Sequence, residues 1–323
     1  MKAYVVRSSG SPDVLEYTDL PDPIVKSGWV NIKVEAFGLN RSEMFTRQGH
    51  SPAVKFPRVL GIECVGLVVD APGTDFQAGQ KVVALMGGMG RNFDGSYAEF
   101  TSVPATSVFP VETELEWHVF GALPEMFQTT WGSLRDGLGV EAGQTLLIRG
   151  GTSSIGMMAT QLAKSKGMFV CATTRNPAKE QALRANGVDE VFIDDGQIAA
   201  AVRERFPQGV DCVLELVGTN TLQDSMRACR AKGVVCMTGI LGNSWQFEHF
   251  APMDEIPHTV RLTVYTGGAE DLDQAAFQQF LRELEKGTVE VNIDRVFEFA
   301  KVVEAHQYME SNQAKGKLVV RVE

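Results

Sequence analysis

Apolar and polar positions alternate in short runs over the first third of the chain. Residues 30–40, VNIKVEAFGLN, alternate before a glycine, as a half-buried strand does. Residues 59–73 form a longer apolar run that ends in a Pro-Gly turn signal, and 80–90 and 95–104 continue the series. Short strands separated by about ten residues predict a compact all-β barrel or sandwich.

The texture changes after Pro124. Apolar runs at 145–149, 168–174, 190–194, 210–218, 233–239 and 261–267 read as strands. The segments between them carry helical patterns, at 159–166, 177–186, 198–206 and 219–230. Alternation of this kind predicts right-handed βαβ units and a doubly wound parallel sheet covered on both faces. The tail adds a helix (272–285), a strand (289–297), a second helix (301–311) and a last strand, KLVVRV. One such pair does not make a domain, so it is expected to return to the N-terminal β domain. The expected division is therefore 1–124 with 268–323, and 125–267.

The sharpest motif, RGGTSSIG at 149–156, lies between a strand and a helix. A helix N-terminus there offers unpaired N–H groups and a positive dipole end, and small residues let a pyrophosphate approach. Gly151, Ser153 and Gly156 hold the three glycine positions of the G-x-G-x-x-G fingerprint, with Thr152, Ser154 and Ile155 between them. The Ser153 hydroxyl is a candidate donor to a phosphate. The second strand then ends on Thr174, Arg175 and Asn176, with Lys179 one turn further on. An acidic residue here accepts from the ribose of NAD, whereas Arg175 and Lys179 suit the 2′-phosphate of NADPH. A solvated basic pair is the plain alternative.

Composition narrows the chemistry. Among 323 residues there are 32 glycines, five cysteines and five histidines, and the formal charge is -10. The acidic balance disfavours nucleic acid as a partner. No two cysteines are spaced C-x-x-C and no histidines are spaced H-x-x-x-H, so no zinc framework can be assembled. Four of the cysteines fall in apolar runs, as small buried hydrophobes in a reducing compartment do. No run is long enough to span a membrane, and the N-terminus lacks a secretory pattern. The expected location is cytoplasmic.

The chain resembles the zinc-free quinone oxidoreductase branch of the medium-chain dehydrogenase/reductase superfamily. The matching segments are AFGLNRSE with RQG (36–49), PRVLGIECVG (57–66), FDGSYAEF (93–100), LPEMFQTTWGSL (123–134), the glycine loop with QLAKSKG (161–167), and KGKLVV (315–320). The resemblance implies a GroES-like domain, a Rossmann domain and a cleft between them for the nicotinamide. It also implies reduction of quinones or activated C=C bonds with NADPH, and a homodimer built on the sheet edge. Zinc-dependent members place a Cys and a His where this chain has Asn40 and Ile62, with Glu63 following as a partner acid of the β domain.

Without zinc to hold an alkoxide, hydride delivery to an already electrophilic quinone or enone is the easier task. The expected site residues are Asn40, whose amide would bond the nicotinamide ribose or the substrate oxygen, and Arg47 at the cleft mouth. A loop-capping role is the plain alternative for Asn40 and a solvated arginine for Arg47. The tyrosines of many relatives are replaced by Phe45 and Ser51, which leaves the proton donor unassigned. Further cofactor contacts are implied at Thr130, at Gly239, Ile240 and Leu241 after the fifth strand, and at Tyr265 and Thr266 after the sixth. Asp194, at the end of the third strand, departs from the family pattern and counts against a 2′-phosphate. The segment 243–252 lines the acceptor site or packs as a surface loop. Two other functions remain open, an enoyl-thioester reductase and an NADPH-binding protein with little turnover.

Overall fold

In the computed structural model, which describes residues 1–322, the expected strand pattern appears as strand Trp29–Gly38, whose odd and even positions differ in burial over its first half. It is the centre of a seven-stranded sheet. Its neighbours include Glu63–Asp70 on one side and Lys317–Arg321 on the other, and Lys317–Arg321 in turn pairs parallel with Ile293–Glu298. The C-terminal tail thus completes the N-terminal sheet. A three-stranded sheet of Leu15–Asp19, Lys2–Val6 and Arg58–Val59 adjoins it in sequence.

Two local departures from the sequence reading matter. The apolar run 59–73 is not one strand: it breaks at Gly61 (φ +104°) into Arg58–Val59 and Glu63–Asp70. A seven-residue helix, Arg41–Arg47, follows Asn40 within what read as all β. Two turns are too short to give a readable helical period.

Residues 129–267 form a separate compact unit, the other comprising residues 1–128 and the chain from Gly268 onward. Its six parallel strands are Thr145–Arg149, Phe169–Thr174, Glu190–Ile193, Val210–Glu215, Cys229–Met237 and Arg261–Val264. In space they run third, second, first, fourth, fifth, sixth. That is the Rossmann order, with the switch point between the first and fourth strands. The core gathers Leu147, Cys171, Val213 and Val235 from the strands with Val202, Leu222 and Met226 from the helices. The double burial expected of every strand fails at the two edge strands, the third, whose Ile193 is 45% exposed, and the sixth, whose Val264 is 65% exposed. No helix among the described residues is long and apolar enough to cross a membrane.

Candidate functional site

In the Rossmann unit the glycine loop links strand Thr145–Arg149 to the twelve-residue helix Ser154–Ser165. Ser153 caps that helix: its Oγ accepts from Gly156 N at 3.1 Å and donates to Gly150 O at 2.8 Å. The hydroxyl proton expected to meet a phosphate is therefore spent inside the loop. Gly156 is required by close approach, since a Cβ there would lie 2.7 Å from the carbonyl oxygens of both Gly150 and Gly151. Helical bonding begins with Met157 N to Ser153 O, so the amides of Ser154 and Ile155 have no intrahelical acceptor. Their N–H groups stay open at the helix start.

The second strand is tied to this loop. Thr173 O accepts from Gly151 N and Thr173 Oγ1 from Gly150 N, both at 3.1 Å. Thr174 Oγ1 then accepts from Asn176 N, and Asn176 Oδ1 from Ala178 N, a compact turn that leaves Arg175 exposed. Neither Arg175 nor Lys179 has an ion-pair partner among the described residues. On the other side of the loop, Leu241 N bonds Leu216 O and a Cβ on Gly150 would touch the Leu241 side chain, so the Gly239–Ile240–Leu241 segment lies beside the glycine loop. Tyr265, after the sixth strand, donates its N–H to Met237 O, and its ring packs over Gly132. Thr266 is exposed and Thr130 is fully buried in helix Pro124–Gly132. Phe247 and Phe250 stack at 5.1 Å and pack on the Rossmann core, which leaves Trp245 as the exposed aromatic of 243–252.

A buried charge network, missed in the sequence, supports the loop from below. Arg149 is 0% exposed and is held by Asp194 and Asp224. Glu215, also 0% exposed, accepts from the backbone of Val217 and Gly218 and from the hydroxyls of Thr221 and Ser225. Burial pushes the Glu215 carboxyl upward against those bonds.

The other unit holds Asn40. It occupies the N-cap position of helix Arg41–Arg47 but makes no cap bond; its amide turns inward. Nδ2 donates to Glu63 Oε1 at 2.9 Å and to Glu43 Oε1 at 3.3 Å, and Oδ1 accepts from Lys317 Nζ at 2.5 Å. Lys317 also reaches Glu63 at 2.9 Å and Glu125 at 3.5 Å. Glu63 Oε2 takes the backbone N–H of Glu125 at 2.7 Å, so Glu63 stitches the β domain together, as expected. Space for the pair comes from Gly38, where a Cβ would collide with Glu63 Oε1 and Lys317 Cε. Burial works to lower the Lys317 ammonium, yet Glu63 and Glu125 outweigh it and hold it above the ordinary lysine value. Glu43 goes the other way: burial and then Glu63 push it up to about 8. Lys317, Glu43 and Glu125 were not singled out in the sequence, where a lysine opening an apolar strand looks like a solvated end.

Arg47 does not line a mouth. It is 0% exposed, with its guanidinium against Gly10 O and Glu310. That placement makes it an anchor between helix Arg41–Arg47 and helix Val302–Glu310.

Residues 26–113 match the family model described as the alcohol dehydrogenase GroES-like domain, and residues 186–320 the one described as zinc-binding dehydrogenase. The chain belongs to the medium-chain dehydrogenase/reductase superfamily. Among its relatives, human quinone oxidoreductase is 26% identical over 335 residues, covering 99% of this chain and 97% of that protein. A mycobacterial protein solved in complex with NADPH superposes with a TM-score of 0.87 at 26% identity, over the full length of both chains. So does an NAD-dependent alcohol dehydrogenase, with a TM-score of 0.88 at 26% identity. Superfamily members that use zinc need a soft or imidazole donor set. The group assembled here is an amide, carboxylates and an ammonium within hydrogen-bond distance of two of the oxygens. A zinc ion would have to displace Lys317, so these residues do not fit one.

Proposed function

We propose that the protein is an NADPH-dependent oxidoreductase that reduces quinones or the activated C=C bonds of enones without a metal. The observation that carries the reading is the buried Lys317 ammonium beside Asn40 and Glu63, in the stretch that the resemblance aligns with the zinc ligands of zinc-dependent members. An ammonium held by Asn40 and Glu63, with Glu125 at 3.5 Å, has no vacant orbital and cannot take up an alkoxide as a Lewis acid does. Acceptors that stabilise their own developing charge by conjugation suit such a site.

NADPH, when bound, supplies the hydride. Gly151, Thr152, Ser153, Ser154, Ile155 and Gly156 would hold its pyrophosphate, using the small residues and the open amides at the helix start. Arg175 and Lys179 would take the 2′-phosphate, with Thr174 shaping the turn that presents them. Gly239, Ile240, Leu241, Tyr265, Thr266 and Thr130 are assigned to the remaining contacts. Asn40 is the residue assigned to the reacting end, and Arg47 acts through the packing of its helix. The exposed sixth strand with Val264 supports a homodimer formed along that edge. Five free, buried cysteines suit a cytoplasmic setting.

The test is NADPH oxidation against quinones, enones and enoyl-CoA esters. Turnover of the first two classes is expected. Fast turnover of thioesters alone would make this an enoyl-thioester reductase, and tight NADPH binding with no turnover on any acceptor would favour a binding role.

A further inference from the structure

We infer that Lys317 is a positioning residue that locks the Asn40 amide with Oδ1 on the ammonium and Nδ2 on the carboxyl groups, so that Asn40 meets a ligand only as a hydrogen-bond acceptor. An amide can turn over, and only its neighbours decide which end faces where. Here they leave one choice. Lys317 Nζ has donors alone, and it sits on Oδ1. Glu63 Oε1 and Glu43 Oε1 lie on Nδ2 and take both of its protons. Turning the amide over would set NH2 against an ammonium and a carbonyl against two carboxyl groups.

The count of valences then decides the role. Asn40 has two donors, both used, and two acceptor lone pairs, one used. The single free valence is an acceptor, on a residue 8% exposed. It suits a hydroxyl, such as those of the nicotinamide ribose, and cannot donate to the oxygen of a quinone. The inference rests on the reading that this chain binds NADPH, and it narrows what Asn40 does there. The donor to the acceptor oxygen must come from elsewhere.

Removing the ammonium alone would strand Glu63, so the variant of choice is Glu63→Gln with Lys317→Met, which stays neutral. Two ligands are compared by calorimetry: NADPH, and 2′,5′-ADP, which lacks the nicotinamide ribose. Asn40→Ala and the double variant should each weaken NADPH roughly three- to ten-fold and leave 2′,5′-ADP unchanged. Asn40→Ala added to the double variant should weaken NADPH no further, because the two act as one unit. Wild-type affinity in the double variant, or a full additional loss in the triple variant, overturns the inference. A wild-type protein that binds neither ligand overturns the NADPH reading instead. A second measurement reads the wild type itself and does not use the double variant. In the wild type the side-chain NH2 of Asn40, assigned through Asn40→Ala, should exchange slowly with water by NMR before and after NADPH is added. Fast exchange in either state overturns the inference.

Discussion

Arg149 grips Asp194 with two hydrogen bonds of 2.8 Å, from Nε to Oδ2 and from Nη2 to Oδ1. Both side chains are interior, and Arg149 also holds Asp224 at 2.6 Å. In the sequence Asp194 counts against a 2′-phosphate; in the structure its charge is answered from within. Asp194→Asn should therefore leave the ratio of NADPH to NADH affinities unchanged. Arg149→Leu strands two carboxylates and should cost about 3–5 kcal/mol of stability in urea unfolding.

The same pair sets an acid limit. Burial acts to raise the Asp194 carboxyl, but the Arg149 bonds and charge outweigh it and hold it below its ordinary value. A depressed folded pKa contributes stability above the unfolded value, about 3.9, that is lost as pH falls through the folded one. The difference in unfolding free energy between wild type and Asp194→Asn should be flat from about pH 5 to 7 and shrink below about pH 4. Denaturant melts across that range check it.

Glu43 works in the opposite sense. Its Oε1 accepts from Asn40 and from Ile62 N, while the residue is 1% exposed and its folded pKa is pushed up to about 8. The folded state keeps a proton that the unfolded state has released, so this contribution to stability falls as pH rises from about 4 towards 8, by about 1.4 kcal/mol per unit. Glu43→Gln should remove that slope. Equal slopes in the two proteins between pH 5 and 8 would place the titration elsewhere.

Arg175 stands exposed at the end of the second strand, next to a glycine loop that Thr173 ties down. Losing a charge-assisted bond to phosphate costs about 1.5–3 kcal/mol. Arg175→Ala should weaken NADPH roughly ten- to a hundred-fold and NADH little, as fluorescence titration would measure. An equal loss for both nucleotides would remove the 2′-phosphate assignment.

Much of the fold was legible because it depends on local periods. Runs such as TLLIR and FVCATT are apolar throughout since a doubly covered parallel strand buries both faces, and each became a strand within a residue or two. The glycine loop was legible because strand, small residues and helix follow one another in sequence. Helix Arg41–Arg47 was not, being too short to show a period. The break at Gly61 was hidden by apolar residues on both sides of it.

The charge partners lay beyond any local pattern. Lys317 and Asn40 are 277 positions apart. They meet because Lys317–Arg321 pairs antiparallel with Trp29–Gly38, with Val319 opposite Gly38, and two further steps bring residue 317 opposite residue 40. By itself the sequence determined the two kinds of sheet, the glycine turn between strand and helix and the lack of a zinc-type spacing of Cys and His, because composition and spacing along the chain decide these. Only the tertiary structure decided that Arg47 is buried, that Asp194 is neutralised by Arg149, and that Asn40 is held by an ammonium. A buried charge is stable only beside a partner, and the register of distant strands and helices decides which partner that is.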